Sequence, residues 1–146
     1  MSKNILIAGG AGFLGSNLSA RLLNDGHRIH CIDNLSTGAL SNISRLLDQK
    51  DFSFDRVDIV TPFDLDSNYD EIYNLACPAS PRNYQEDPLQ TTKTSIYGSI
   101  NLLEHAHRMG ATILQASTSE VYGNPEMHPQ KESYHGNVNP IGVRAC

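Results

Sequence analysis

The stretch Asn4–Gly15, NILIAGGAGFLG, constrains this chain more than any other. A short apolar run that ends in glycine reads as a strand buried on both faces. Leu14, Leu18 and Leu22 then recur at helical spacing. Between the two, Gly10, Gly12 and Gly15 satisfy G-x-G-x-x-G, while Gly9, Gly12 and Gly15 satisfy G-x-x-G-x-x-G. At a strand-to-helix turn, glycine lets the backbone bend sharply and come close to a pyrophosphate, whose charge the helix N-terminal amides can meet. Gly15 lets the helix approach the sheet. A glycine-rich turn without a ligand is the competing reading, and the strand–turn–helix context disfavours it.

The rest of the chain continues the alternation. "NDGH" closes the first helix at Gly26, and "RIHCID" is a second strand. Leu40, Ile43 and Leu47 predict a helix over residues 39–50. "FSFDRVD" and "EIYNLA" read as the third and fourth strands, a long helix runs from Pro88 to Met109 before Gly110, and "ATILQAS" is the fifth strand. Residues 124–142, rich in Pro, Gly and Asn, have no periodicity and read as a loop. Strands alternating with helices predict a doubly wound α/β fold, a parallel Rossmann-type sheet of about five strands, spread over residues 1–146 as one domain.

Asp33 sharpens the cofactor expectation. It ends the second strand at the distance where a dinucleotide fingerprint places an acid for the adenosine ribose. A carboxylate there accepts from the ribose hydroxyls and repels a 2′-phosphate. No Arg follows in "DNLSTG", so NAD is favoured over NADP. A plain Asp-Asn turn is the blander alternative. Composition excludes other classes: a formal net charge of −5 argues against nucleic acid or an anionic membrane as partner. No apolar run reaches the length of a membrane span and the N-terminus lacks a signal-peptide shape, which together predict a cytoplasmic protein. The three cysteines suit free thiols better than a disulfide framework. His105 and His107, two apart on a helix, share no face and predict no metal site.

Taken in order, "GGAGFLGSNL", "DNLSTG", "NLACPASPRNYQEDP", "TTKTS", "GSINLLEHAHRMGA", "ASTSEVYG", "HPQKESY" and "VNPIGVRAC" resemble the N-terminal part of the extended short-chain dehydrogenases/reductases that act on nucleotide sugars. Within that group the chain is most similar to the UDP-glucuronate decarboxylases, lyases that make UDP-xylose. The resemblance implies that Gly9, Gly12, Phe13 and Leu14 lie along the pyrophosphate of NAD. It places Asp33, Asn34, Ser36, Thr37 and Gly38 around the adenosine ribose, and Asp58 and Ile59 at the adenine. Leu75, Ala76 and Cys77 would approach the middle of the cofactor, with Thr94 beside it, while Lys93 and Asn101 would face the sugar nucleotide. Asp58 as a strand-end turn residue and Lys93 as a solvated charge stay open as alternatives. Cys77 has no paired His and is no nucleophile on this reading. Asp64, in a loop that departs from the family pattern, leaves the substrate contacts there unassigned.

The resemblance also implies a chemistry. In "STSE", Ser119 stands where a dehydratase of the family has Asp, and a hydroxyl is no acid at neutral pH. Thr118, Ser119 and Glu120 match the decarboxylase pattern, in which C4 is oxidised, carbon dioxide leaves and C4 is reduced again. The family's catalytic Tyr and its Lys four residues on would follow Cys146 at once. Residues four after Tyr69, Tyr73, Tyr84, Tyr97, Tyr122 and Tyr134 are Tyr73, Cys77, Pro88, Asn101, Glu126 and Val138, so no such pair stands in this sequence. The expectation is the NAD-binding part of a decarboxylase, binding cofactor without catalysing on its own. A stand-alone NAD-binding module, or one half of a split epimerase or dehydratase, is the alternative. Ile96, Ile100 and Leu103 give the long helix an apolar stripe where relatives pair subunits, and Ile113 or Leu114 would be exposed on an edge strand. Both predict a homo-oligomer, or a missing C-terminal half as partner.

Overall fold

The computed structural model describes residues 1–65, 67–140 and 142. The chain divides into two compact units, Met1–Gln115 and Ala116–Cys146. In the first, β1 (Asn4–Ala8) leads into α1 (Phe13–Asn24), followed by β2 (Arg28–Asp33), β3 (Phe52–Arg56) and β4 (Glu71–Asn74). Then come α2 (Pro81–Glu86), α3 (Pro88–Lys93), α4 (Ser99–Met109) and β5 (Thr112–Gln115). The strands form one parallel sheet in the order β3-β2-β1-β4-β5, the doubly wound arrangement expected.

Alternate residues of β1 enter opposite cores. Leu6 and Ala8 join Ile32, Ile72, Leu102 and Ala106 on one face, whereas Ile5 and Ile7 join Ile29, Cys31, Ile43 and Leu46 on the other. Each fully buried Ile or Leu contributes on the order of 2 kcal/mol. The side of α1 that meets the sheet is made of Gly15, Ser16 and Ser19; Leu14 is 66% exposed, and Leu18 and Leu22 are half-buried. Gly26, with φ +87°, ends α1 as expected, its N–H donating to the Leu23 carbonyl.

Three elements differ from expectation. Residues 39–50 form two short 3-10 turns, Leu40–Asn42 and Ser44–Leu46. The buried residues are Ile43 and Leu46, three apart, while Leu40 and Leu47 are exposed. The Ala39 N–H and the Asn42 side-chain amide both donate to the Ala11 carbonyl, at 3.1 and 2.7 Å, and this tether favours the tighter winding. The long helix is interrupted by a π-turn at Thr94–Gly98 between α3 and α4. Helix α2 was unforeseen, although Ser80 caps it by accepting from the Asn83 N–H and Pro81 occupies its first turn.

On the helical face, Ile96, Ile100 and Leu103 are exposed, as the apolar stripe predicts. Strand β5 pairs only with β4 among the described residues, and Leu114 is half-exposed. His105 is buried on the inner side of α4 against the Phe63 ring, 5.3 Å between centroids, and its Nδ1 accepts from Arg108 Nη2 at 2.6 Å. Burial, and then the Arg108 guanidinium, hold its pKa below the ordinary value, against an upward pull from Asp64. No helix is long and apolar enough to cross a membrane, and no metal-ligating cluster occurs, among the described residues.

Among the described residues of the second unit, a 3-10 turn at Ser119–Tyr122 is the only helical element, and residues 124–140 run as the loop expected. Gly123 and Asn137 form an isolated bridge, and the rings of Tyr122 and Tyr134 stack with centroids 6.1 Å apart. The Tyr134 hydroxyl accepts from the Glu126 N–H.

Candidate functional site

The glycine turn is held by backbone. The N–H groups of Gly9 and Gly10 donate to the Ile32 carbonyl at 2.9 and 3.2 Å, fastening the end of β1 to β2. Gly9 has φ +79°, a left-handed conformation that side chains oppose. A Cβ on Gly15 would stand 2.2 Å from the Gly9 carbonyl oxygen, so only glycine lets α1 start this close to the turn. The first residues of α1, Phe13, Leu14 and Gly15, border the space at the carboxyl ends of the strands.

Asp33 braces that turn. It is 9% exposed; its Oδ2 accepts from the Ala11 N–H at 3.0 Å and its Oδ1 from the Leu35 N–H at 2.8 Å. Each oxygen keeps a further lone pair for a ligand hydroxyl. Leu35 adopts φ +63°, the one non-glycine residue with positive φ among those described. This places local strain at the bend that carries Asn34, Ser36 and Thr37. Cys31 packs beneath, its Sγ 3.0 Å from Ser19 Oγ, and burial pushes its thiol up to about 12, which leaves it unreactive.

These elements surround a cleft of about 560 Å³ at the carboxyl edge of the sheet. Of the residues expected at the cofactor, Gly9, Gly12, Phe13, Leu14, Asp33, Asn34, Ser36, Thr37, Asp58, Ile59, Leu75, Ala76, Cys77 and Thr94 all line it. Gly38 stands behind, where a Cβ would be 3.0 Å from Asp33 Oδ2. Phe13 and Leu14 are 81% and 66% exposed, large apolar side chains left uncovered at the mouth. Asp58 is the hub of the far wall. Its Oδ1 accepts from the Val60 N–H at 3.0 Å, and its Oδ2 from Asn34 Nδ2 at 3.2 Å and Gln90 Nε2 at 3.4 Å. Thr94 is buried and donates to the Gln90 carbonyl, and Cys77 is exposed with its Sγ 3.5 Å from Ser95 Oγ.

The two residues expected at a sugar nucleotide lie outside this lining. Lys93 is half-buried at the end of α3 and has no ion-pair partner among the described residues. Asn101 donates its side-chain amide to the carbonyls of Ile59, 2.7 Å, and Val60, 3.4 Å. Thr118 caps the 3-10 turn of the second unit, its hydroxyl accepting from the Glu120 N–H at 3.2 Å; Ser119 opens that turn and Glu120 follows within it. Gln90, Pro78, Ser80 and Asn83 line the cleft without having been singled out. The Ser-Pro pair at 80–81, a helix-start signal, could have pointed to the last two.

Residues 6–141 match the protein family described as GDP-mannose 4,6 dehydratase. UDP-glucuronic acid decarboxylase 1 of Danio rerio is 50% identical over 144 residues, which are 99% of this chain and 34% of that protein. This chain thus spans about a third of that relative. Among solved structures, the UDP-glucose 4-epimerase of Thermus thermophilus in complex with NAD is 29% identical with a TM-score of 0.74, over 92% of this chain and 44% of that one. The Bordetella bronchiseptica enzyme WbmG, solved with NAD and UDP, is 26% identical with a TM-score of 0.80, over 95% and 45% of the two chains. Sheet order, glycine turn and a family match running through nearly the whole chain agree, and the chain belongs to the GDP-mannose 4,6 dehydratase family.

Proposed function

We propose that this chain forms the NAD-binding part of a UDP-glucuronate decarboxylase. The cleft carries the reading: a glycine turn, an acid at the end of β2 and a second acid beyond β3 line one space at the carboxyl edge of a parallel sheet. The residues fit a dinucleotide on structural grounds. The space a Gly15 side chain would take is needed for the turn itself, leaving the α1 amides free for a pyrophosphate, and Asp33 retains acceptor capacity beside the turn. The half-identical decarboxylase relative and the NAD-containing neighbours support the same reading.

Gly9, Gly12, Phe13 and Leu14 would hold the pyrophosphate, Asp33 with Asn34, Ser36, Thr37 and Gly38 the adenosine ribose, and Asp58 with Ile59 the adenine. Leu75, Ala76, Cys77 and Thr94 would line the central part, excluding water from it. When bound, NAD would accept hydride from C4 of the glucuronosyl ring and return it after carbon dioxide has left. Lys93 would meet the charge of the sugar nucleotide, Thr118 would orient the C4 oxygen, and Ser119 and Glu120 would serve the decarboxylation. The sequence holds no Tyr with a Lys four residues on, so proton removal from the C4 hydroxyl needs a group this chain does not supply. Self-association through the exposed Ile96, Ile100 and Leu103 stripe belongs to the same proposal.

Calorimetric titration of the purified chain with NAD and NADP tests the cofactor assignment. Binding of NAD with NADP at least about tenfold weaker is expected, a 1.4 kcal/mol difference from the buried carboxylate of Asp33. Equal affinity for the two would remove the role given to that residue. Incubated with NAD and UDP-glucuronate, the chain alone is expected to release no carbon dioxide, and UDP-xylose from pure chain would overturn the account of its missing base.

A further inference from the structure

The turn after β3 forms the far wall of the cleft, yet it belongs to no regular element. Its backbone carbonyls have left the β ladder and need donors from elsewhere. Thr61 meets the Asp58 carbonyl from within the turn, and one helical face meets the rest of the segment. Asn101 Nδ2 donates to the Ile59 carbonyl at 2.7 Å and lies 3.4 Å from that of Val60. Gly98 lies beside the Ile59 side chain, where a Cβ would come within 2.5 Å of Cδ1. Gln90 donates to Asp58 Oδ2 at 3.4 Å. With Thr94, which lines the cleft, these residues stand at intervals of four, four and three, a single stripe across the π-turn at Thr94–Gly98. Such turns insert a residue into a helix and gather at functional sites.

We propose that Asn101 is a positioning residue of the dinucleotide site, its side-chain amide clamping the Asp58–Val60 turn so that the Asp58 carboxylate is presented to the adenine. The inference rests on reading the cleft as an NAD site, and it gives Asn101 a duty towards the cofactor, whereas the resemblance implies one towards the substrate. Asn101 Nδ2 is within hydrogen-bonding distance of two backbone carbonyls, so the donor end of its amide faces the turn and its Oδ1 is left for other partners. Ile59 is 4% exposed and packed among Leu6, Ile32 and Leu102, so the clamp joins the turn to the core. Without it the Asp58 carboxylate keeps its bonds to Val60, Asn34 and Gln90 but loses the anchored backbone beneath them.

Titration of NAD and of nicotinamide hypoxanthine dinucleotide into the wild type and Asn101→Asp reads this directly. Hypoxanthine lacks the 6-amino donor that a carboxylate can accept from, so the wild type is expected to prefer NAD. In Asn101→Asp, which is isosteric but turns an acceptor towards the two carbonyls, NAD affinity is expected to fall about tenfold, the scale of one lost hydrogen bond. The ratio between the two dinucleotides should fall towards one. Should that variant fail to fold, Asn101→Ser, too short to reach the carbonyls, replaces it with the same expectation. An unchanged ratio overturns the proposal, whether NAD affinity is retained or both affinities fall in proportion, since a general loss of structure would produce the latter. A wild type that binds neither dinucleotide overturns the cofactor reading itself and this inference with it.

Discussion

The two units are held by different forces. Met1–Gln115 has a sheet with an apolar core on each face, and residues such as Leu6, Ile7, Ile32 and Ile72 are wholly inaccessible to solvent. In Ala116–Cys146 no described residue is buried; one isolated bridge, a tyrosine stack and a few turn hydrogen bonds hold the backbone. The residues assigned to the cofactor lie in the first unit, and Thr118, Ser119 and Glu120 in the second. Binding residues thus rest on a scaffold stabilised by area, while residues proposed for the chemistry sit on a segment with almost none. Segments with little buried surface open first, so the two should respond to mutation very differently.

The sharpest way to break this contrast is at the glycine turn. Gly15→Ala puts a methyl group 2.2 Å from the Gly9 carbonyl and should destabilise the first unit by about 3 kcal/mol or more. NAD affinity should fall about a hundredfold or more with it. A variant that melts and binds like the wild type would show that the turn can yield. Asp33→Ser comes next: it leaves the Ala11 and Leu35 N–H groups without their carboxylate and removes the charge. NAD binding is expected to weaken about tenfold, and the preference over NADP to shrink towards nothing.

A smaller effect tests the core around α4 by pH. His105 is held below its ordinary value of 6.5, so the folded chain binds its proton less readily than the unfolded one. Stability from this residue is complete above that value and declines as pH falls from 6.5 through the lower folded value. Denaturant melts should lose midpoint across that window in the wild type and lose less in His105→Phe; equal slopes would place the proton elsewhere. The smallest change is expected from Tyr134→Ala, which removes the stack on Tyr122 and the acceptor for Glu126. The stability of the first unit should stay within about 0.5 kcal/mol, while proteolysis between residues 116 and 142 should quicken. A matching fall in the first unit's stability would mean that the second unit is part of the same cooperative fold.

The strands and the glycine turn were legible because their causes are local. The continuous apolar run of β1, the Ile29, Cys31 and Ile32 positions of β2, and glycine where φ must be positive are written in adjacent residues. Asp33 was legible for the same reason, since its distance from Gly9 is a distance along the chain. Residues 39–50 were not. Their apolar spacing allows a helix, but the Ala11 carbonyl, which belongs to another turn, draws two donors from the segment and winds it as 3-10 turns. Asn101 shows the same limit at the site. Sequence places it on a helix and resemblance turns it to a sugar nucleotide, yet the backbone its amide meets lies 42 residues away in the chain. Periodicity and steric permission are properties of neighbours in sequence, so the sequence alone determined the parallel α/β sheet, its turn and the acid beside it. Which carbonyl lacks a donor, and which side chain supplies it, depends on segments brought together only by folding, and that was decided by the tertiary structure.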